Sequence, residues 1–234
     1  MENFNRDNLK LAITESIIRV YEAQICELNL YRNTLDCFAS SIDAVVQNIT
    51  MEQWLLQEKE RQIQKTKQNA IGTLHEEIIG SLSNVENLPV GNLIDIVSHD
   101  LRIIAEVKNK HNTTKGNHKI QIYRDLSKAL ERYVGYTAYY VEILPRGRKR
   151  YNTHFTPSDN QTHSQAPARD DIKIIDGLSF YALLTGSENA LREIYNELPL
   201  LTAEIINEKF GTQLNATRVI ESQLFSLNYT KAYK

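Results

Sequence analysis

The chain is poor in the residues that staple a fold. Two cysteines, Cys26 and Cys37, in 234 residues build neither a disulfide framework nor a zinc cage. Their spacing is three helical turns, so both are expected as small core residues on one helix face, in a reducing compartment. Long apolar runs are missing as well. Stretches such as Leu198-Pro199-Leu200-Leu201 fall far short of the roughly 20 residues a membrane span needs. Met1-Glu2-Asn3-Phe4-Asn5-Arg6-Asp7 has acids and amides where a secretory leader has an apolar core, so a cytoplasmic location is expected. No P-loop, dinucleotide fingerprint or internal repeat is present.

What remains is ordinary globular material, 41% apolar and 24% charged, with its charge unevenly placed. Between Arg102 and Arg150 twelve Lys/Arg stand against four acids, a charge of +8. The rest of the chain, whose total is −2, therefore carries −10. A basic middle on an acidic body marks a polyanion-binding surface.

The first ninety residues read as helices. Asp7 or Asn8 caps a segment with Leu11, Ile17, Ile18, Tyr21, Ile25 and Leu28 at steps of three and four. A second apolar run holds Tyr31, Leu35, Phe38, Ile42, Val45 and Val46. Thr50-Met51-Glu52-Gln53 fits a capping box. The stretch 58–68 is charged nearly all round and reads as surface. Ala70 to Leu82 regains apolar spacing, with Gly72 and Gly80 weakening the helix or marking its ends.

Past Pro89 the period changes. Leu93-Ile94-Asp95-Ile96-Val97 and Arg102-Ile103-Ile104-Ala105-Glu106-Val107 read as a β-hairpin. Lys119 to Tyr136 reads as a helix, and Ala138 to Leu144 as a third strand that packs Tyr139 and Tyr140. Residues 145–171 contain Pro145, Pro157 and Pro167 and form a long loop, expected to tighten on a ligand. Ile172 to Thr185 reads as strand, Ser187 as the cap of a helix to Leu198, and Thr202 as the start of another ending near Gly211.

The chemistry concentrates on the hairpin. Side chains alternate along a strand, so Glu106 and Lys108 project together, and Asp95 lies beside Glu106 across the ladder. Two carboxylates suit Mg²⁺, which takes oxygen donors and leaves room for substrate phosphate. An ammonium beside them orients water and offsets charge on phosphoryl oxygens. This is equipment for metal-assisted phosphodiester hydrolysis. The loop after Lys108, from Asn109 to Asn117, is dense in donors for phosphates and base edges. His111 and His118 fall together in that loop, unlike the hairpin-and-helix histidines of ββα-metal nucleases.

Ile104-Ala105-Glu106-Val107-Lys108-Asn109-Lys110-His111-Asn112-Thr113-Thr114-Lys115-Gly116 resembles the active-site block of the SinI-like type II restriction endonucleases. These are members of the PD-(D/E)XK nuclease superfamily that cut GGNCC or GGWCC. Leu74 to Gly80 and Ile175 to Gly186 resemble the same family. The resemblance implies an α/β restriction-endonuclease-like core with a mixed central sheet flanked by helices over 70–234. A helical region, 1–69, would precede it and serve dimerisation or embrace DNA. It implies Asp95, Glu106 and Lys108 as catalytic residues, although Ile94 stands where the superfamily has proline and Asp100 is the alternative first acid. Asp95, Glu106 and Val107 would hold Mg²⁺ (or Mn²⁺), assisted by Glu76 or Glu77, with Glu77 assigned. Asn109, Lys110, Asn112 and Thr113 would contact phosphate or sugar. Of Arg146, Arg148, Lys149, Arg150 and Arg169, at least one is expected to contact guanine and others phosphate. Double-stranded DNA is the implied partner, cut to 5′-phosphate and 3′-hydroxyl ends. A palindrome calls for a homodimer, and a cognate methyltransferase for a bacterial or archaeal cytoplasm. A repair nuclease with little sequence preference and a non-catalytic DNA-binding module are the alternatives.

Overall fold

The structure is a computed structural model describing residues 4–26, 29–32, 34–89, 91–114 and 116–233. Leu28 and Lys115, read above as parts of a helix face and of the basic segment, lie outside the described residues. Four helices come first: α1 (Arg6–Ile25), α2 (Cys37–Gln47), α3 (Met51–Gly72) and α4 (Leu74–Gly80). Strands β1 (Glu86–Asn87), β2 (Ile96–Ser98) and β3 (Ile103–Lys110) follow, then α5 (Gly116–Arg132) and β4 (Thr137–Leu144). A 3₁₀ turn (Arg146–Arg148) leads into β5 (Asn152–His154), the ribbon β6 (Ser158–Asp159) and β7 (Ser164–Gln165), and β8 (Ile172–Asp176). Helices α6 (Gly177–Thr185), α7 (Ala190–Phe210), α8 (Thr217–Ile220) and α9 (Gln223–Ala232) close the chain.

Six strands form one mixed sheet in the order β1-β2-β3-β4-β8-β5, with β3, β4 and β8 parallel and the remaining neighbours antiparallel. Strand alternation sorts the core onto its two faces. Ile103, Ala105 and Val107 pack with Leu9 and Ile13 of α1, Ile78 and Ile79 of α4, Phe180 of α6 and Ile194 of α7. Ile104 and Tyr140 pack on the other face under Leu126 and Ala129 of α5, with Phe155. Helix α1 thus shares the sheet's core, and Arg6 and Lys10 bind Glu197, Glu204 and Glu208 of α7. Helix α3 runs on across residues 69 and 70.

Several local expectations need correction. Asn5, not Asp7 or Asn8, caps α1. Cys26 follows the end of α1 and Cys37 begins α2, so no single helix carries both, and both are exposed. The 58–68 stretch is not all surface: Glu58, Gln62 and Ile63 are buried, because Arg61 and Gln62 satisfy the Glu58 carboxylate and offset its burial cost. The strand beginning at Ile172 stops at Asp176, whose Oδ1 accepts from Ser179 N (3.0 Å) and starts α6. Ser187 to Gly211 holds one helix, not two. Pro199 costs α7 a backbone hydrogen bond, but the buried stripe Leu191, Ile194, Leu201, Ile205 and Ile206 carries the helix through it. Residues 145–171 include the 3₁₀ turn, β5 and the β6–β7 ribbon. The Thr50–Gln53 capping box is present, and Gly72 and Gly80 end α3 and α4.

Candidate active site

Antiparallel pairing of β2 with β3 sets Ile96 opposite Ala105. One residue earlier, Asp95 N donates to Ala105 O (2.9 Å) and its Oδ2 accepts from Val107 N (2.8 Å). The Asp95 carboxylate is therefore fixed to the backbone of the strand that presents Glu106 and Lys108. Lys108 Nζ lies 2.6 Å from Glu106 Oε1 and 3.9 Å from Asp95 Oδ2, and donates to Val107 O at 3.1 Å. Asp100 sits in the exposed turn between the strands.

The electrostatics of this cluster are lopsided. Burial and then the Asp95 charge raise the Glu106 carboxyl above its ordinary range. Burial opposes the charge of Lys108, yet Glu106 and Asp95 outweigh it and raise its pKa. Glu76 of α4 is pushed up to about 7, first by burial and then by Asp95. Three acids crowd one ammonium in a half-buried place, and the raised Glu76 and Glu106 carboxyls record that crowding, which a divalent cation would relieve.

Glu76, rather than Glu77, faces this cluster. Glu77 turns to α1, accepting from Ser16 Oγ (2.6 Å) and Thr73 Oγ1 (3.3 Å). Two adjacent helical positions lie about 100° apart, so only one can face the sheet.

Among the described residues no group of three or more His, Cys, Asp or Glu side chains stands close enough to hold a metal ion. The donor set is therefore two carboxylates with the neighbouring Val107 carbonyl. That set fits Mg²⁺, which commonly keeps water and phosphate as its other ligands.

The structure unites some of the expected DNA-facing residues and separates others. Lys110, Asn112 and Thr113 are exposed just beyond the cluster, Asn109 is half-buried, and Thr113 Oγ1 donates to Lys110 O. Arg146, Arg148 and Lys149 are exposed beyond the same end of the sheet, with Gly147 and Arg148 at positive φ. Arg150 is tied to Ser179 and Glu188. Arg169 does not join them: it lies before β8, at the opposite end, bound bidentately to Asp171.

One polar group escaped the sequence reading. Glu142 is buried on β4, in register with Lys108, and accepts from Lys119 Nζ and Tyr151 OH, each at 2.6 Å. Lys119 Nζ also lies 5.3 Å from the centre of the Tyr140 ring. The available signal was one acid inside an otherwise apolar strand.

Comparison with known proteins bears on this geometry. The family model for the Eco47II restriction endonuclease matches residues 3–207. The chain belongs to this family. It is 38% identical over 185 residues to the type II restriction enzyme Eco47II of Escherichia coli, covering 77% of each chain. It is 28% identical over 219 residues to the type II restriction enzyme Sau96I of Staphylococcus aureus, covering 86% of this chain and 84% of that one. This Eco47II-family chain is a type II restriction endonuclease, a site-specific deoxyribonuclease of a restriction-modification system, with the expected restriction-endonuclease-like α/β fold. Among the described residues no helix is long and apolar enough to cross a membrane.

Proposed function

We propose that the enzyme makes Mg²⁺-dependent double-strand cuts in DNA at a G/C-rich palindrome, GGNCC or GGWCC, through Asp95, Glu106 and Lys108. The observation that carries this reading is the Lys108 ammonium, 2.6 Å from Glu106 and 3.9 Å from Asp95, at the end of the sheet where the basic segment emerges. The similarity of residues 104–116 to the SinI-like active-site block supports the recognition sequence.

Asp95, Glu106 and the Val107 carbonyl would hold the Mg²⁺, with Glu76 contributing charge from α4. When bound, the ion supplies Lewis acidity at the scissile phosphate and makes water more acidic. Lys108 donates to the attacking water and to a non-bridging phosphoryl oxygen, where negative charge grows. The water oxygen bonds to phosphorus and releases a proton to solvent, the bond to O3′ breaks, and O3′ takes a proton from solvent and leaves as the hydroxyl. Lys110, Asn112 and Thr113, with Asn109 behind them, contact phosphate or sugar beside the cut. Arg146, Arg148 and Lys149 reach the groove, where one bidentate guanine contact contributes about 1–3 kcal/mol of discrimination.

A palindrome is matched by a two-fold dimer, and a cytoplasmic enzyme of this kind works beside a cognate methyltransferase that protects host DNA. Unmodified phage DNA digested with Mg²⁺ or with EDTA, followed by sequencing of the ends, tests the reading. Discrete fragments ending in one short palindrome, made only with Mg²⁺, are expected. A smear, or cutting in EDTA, would refute it.

A further inference from the structure

A lysine and a glutamate stand side by side on the sheet and do not pair. Lys108 of β3 and Glu142 of β4 are partners in the parallel register, on strands about 4.8 Å apart. Both project from the face that α5 covers, because Ile104 and Tyr140, on the same alternation, pack under Leu126. Yet Lys108 Nζ bends away, to Glu106 at 2.6 Å and the Val107 carbonyl at 3.1 Å. Opposite charges this close attract strongly in a half-buried place, so something holds each of them elsewhere.

Glu142 has its own cation. Lys119 Nζ meets Oε1 and Tyr151 OH meets Oε2, each at 2.6 Å. The next position across the ladder is another acid, Asp176 of β8, fully buried and accepting from Tyr151 N and Ser179 N. The row Lys108, Glu142, Asp176 thus runs from the catalytic cluster into two buried acids, and Lys119 is the ammonium bound there. An unmatched buried carboxylate is costly. Without Lys119, the cation in register with Glu142 is Lys108, on a flexible four-carbon stem. Arg150, which also feels Asp176, is held by Glu188.

We propose that Lys119 is a positioning residue for cleavage: by neutralising Glu142 it keeps Lys108 turned to Glu106 and Asp95. The proposal rests on the reading of Lys108 as the catalytic ammonium and adds the residue that keeps it in place.

The test pairs cleavage kinetics with folding equilibria on the full chain. Lys119→Met is expected to lower kcat on plasmid at least tenfold, with KM within threefold of wild type, at a temperature where circular dichroism shows it folded. Lys119→Gln keeps a neutral donor, serves should Lys119→Met not fold, and is expected to follow it. Glu142→Gln keeps the shape, and its Lys119 stays over the Tyr140 ring, so kcat within threefold of wild type is expected. Lys119→Met with Glu142→Gln strands no charge and is expected to regain that rate. A purely structural pair would lose activity in Glu142→Gln and in the double variant as well.

A double-mutant cycle between Lys108→Met and Glu142→Gln, read by urea titration without DNA or metal, reports the capture directly. The coupling is expected to stay within threefold in the unfolding constant of wild type and to exceed tenfold in a Lys119→Gln background. A folded Lys119→Met or Lys119→Gln with wild-type kcat, a slow Glu142→Gln, a slow double variant, or a coupling that Lys119→Gln leaves unchanged would each overturn the proposal. The cycle involves no cleavage, so a failure of the nuclease reading would appear in the digest and leave the cycle to decide whether Lys119 withholds Lys108 from Glu142.

Discussion

His75 Nδ1 lies 3.1 Å from the phenol oxygen of Tyr181, joining α4 to α6 inside the core. Burial lowers the imidazole pKa to about 4, so it remains neutral at physiological pH and holds α4 without a charge. The next residue, Glu76, is raised to about 7, by burial first and then by Asp95.

Their pH dependences oppose each other. Below its unfolded value of 6.5, His75 takes up a proton only on unfolding, so its stabilising contribution fades as pH falls towards 4. Glu76 carries its proton in the fold, so its contribution is present below 4.5 and fades as pH rises through 7. Between about 4.5 and 6.5 the two slopes offset. In EDTA, Glu76→Gln should make the urea midpoint fall on acidification, and His75→Gln should make it rise. Parallel profiles for the two variants would contradict this assignment.

Lys108→Ala should lower kcat for plasmid cleavage at least a hundredfold, with duplex affinity within about threefold of wild type, because the ammonium acts on charge that grows in the transition state. Affinity measured by gel shift in Ca²⁺ separates the two effects. Lys110→Ala should instead reduce the slope of log K against log salt by about 1, as expected for one phosphate contact.

Lys119→Met leaves the buried Glu142 carboxylate with neutral phenol partners, Tyr151 and Tyr140, and no cation of its own. Removing one partner of a buried pair costs about 3–5 kcal/mol, less here because the Lys119 side chain is 26% exposed. A loss of roughly 2–3 kcal/mol is expected by urea titration, and Lys119→Met with Glu142→Gln should recover most of it.

A Cβ at Gly177 would lie 2.5 Å from Ile143 O. The atoms it would meet, Ile143 O, Cα and C, belong to backbone that cannot yield without opening the β4–α6 contact. Gly177→Ala should cost at least about 2 kcal/mol in thermal melts. At Gly72 nothing lies within 4 Å of the added carbon, so Gly72→Ala should be neutral or stabilise by up to about 1 kcal/mol.

Much of this architecture was legible because it depends on neighbours in the chain. The alternation from Ile103 to Lys108 gave the strand and its reactive face, and Thr50 with Gln53 gave a helix start. What stayed hidden depends on distant partners. Nothing near Pro199 announces that a buried stripe will carry α7 through it, and nothing near Glu142 announces Lys119. The choice of Glu76 over Glu77 is a matter of helix rotation, set by Ser16 some sixty residues away. Arg169 belonged to the right composition but the wrong end of the sheet. Amphipathic spacing in α2 was visible, whereas the outward direction of its apolar side was not.

The clasp between Arg6 and Lys10 at one end of the chain and Glu197, Glu204 and Glu208 near the other bears on synthesis. Translation delivers α1 early and α7 late, so a nascent polypeptide on the ribosome cannot close its interior until some two hundred residues have emerged. A product stopped before α7 lacks the acids that hold Arg6 and Lys10 and the side chains that pack beside α1.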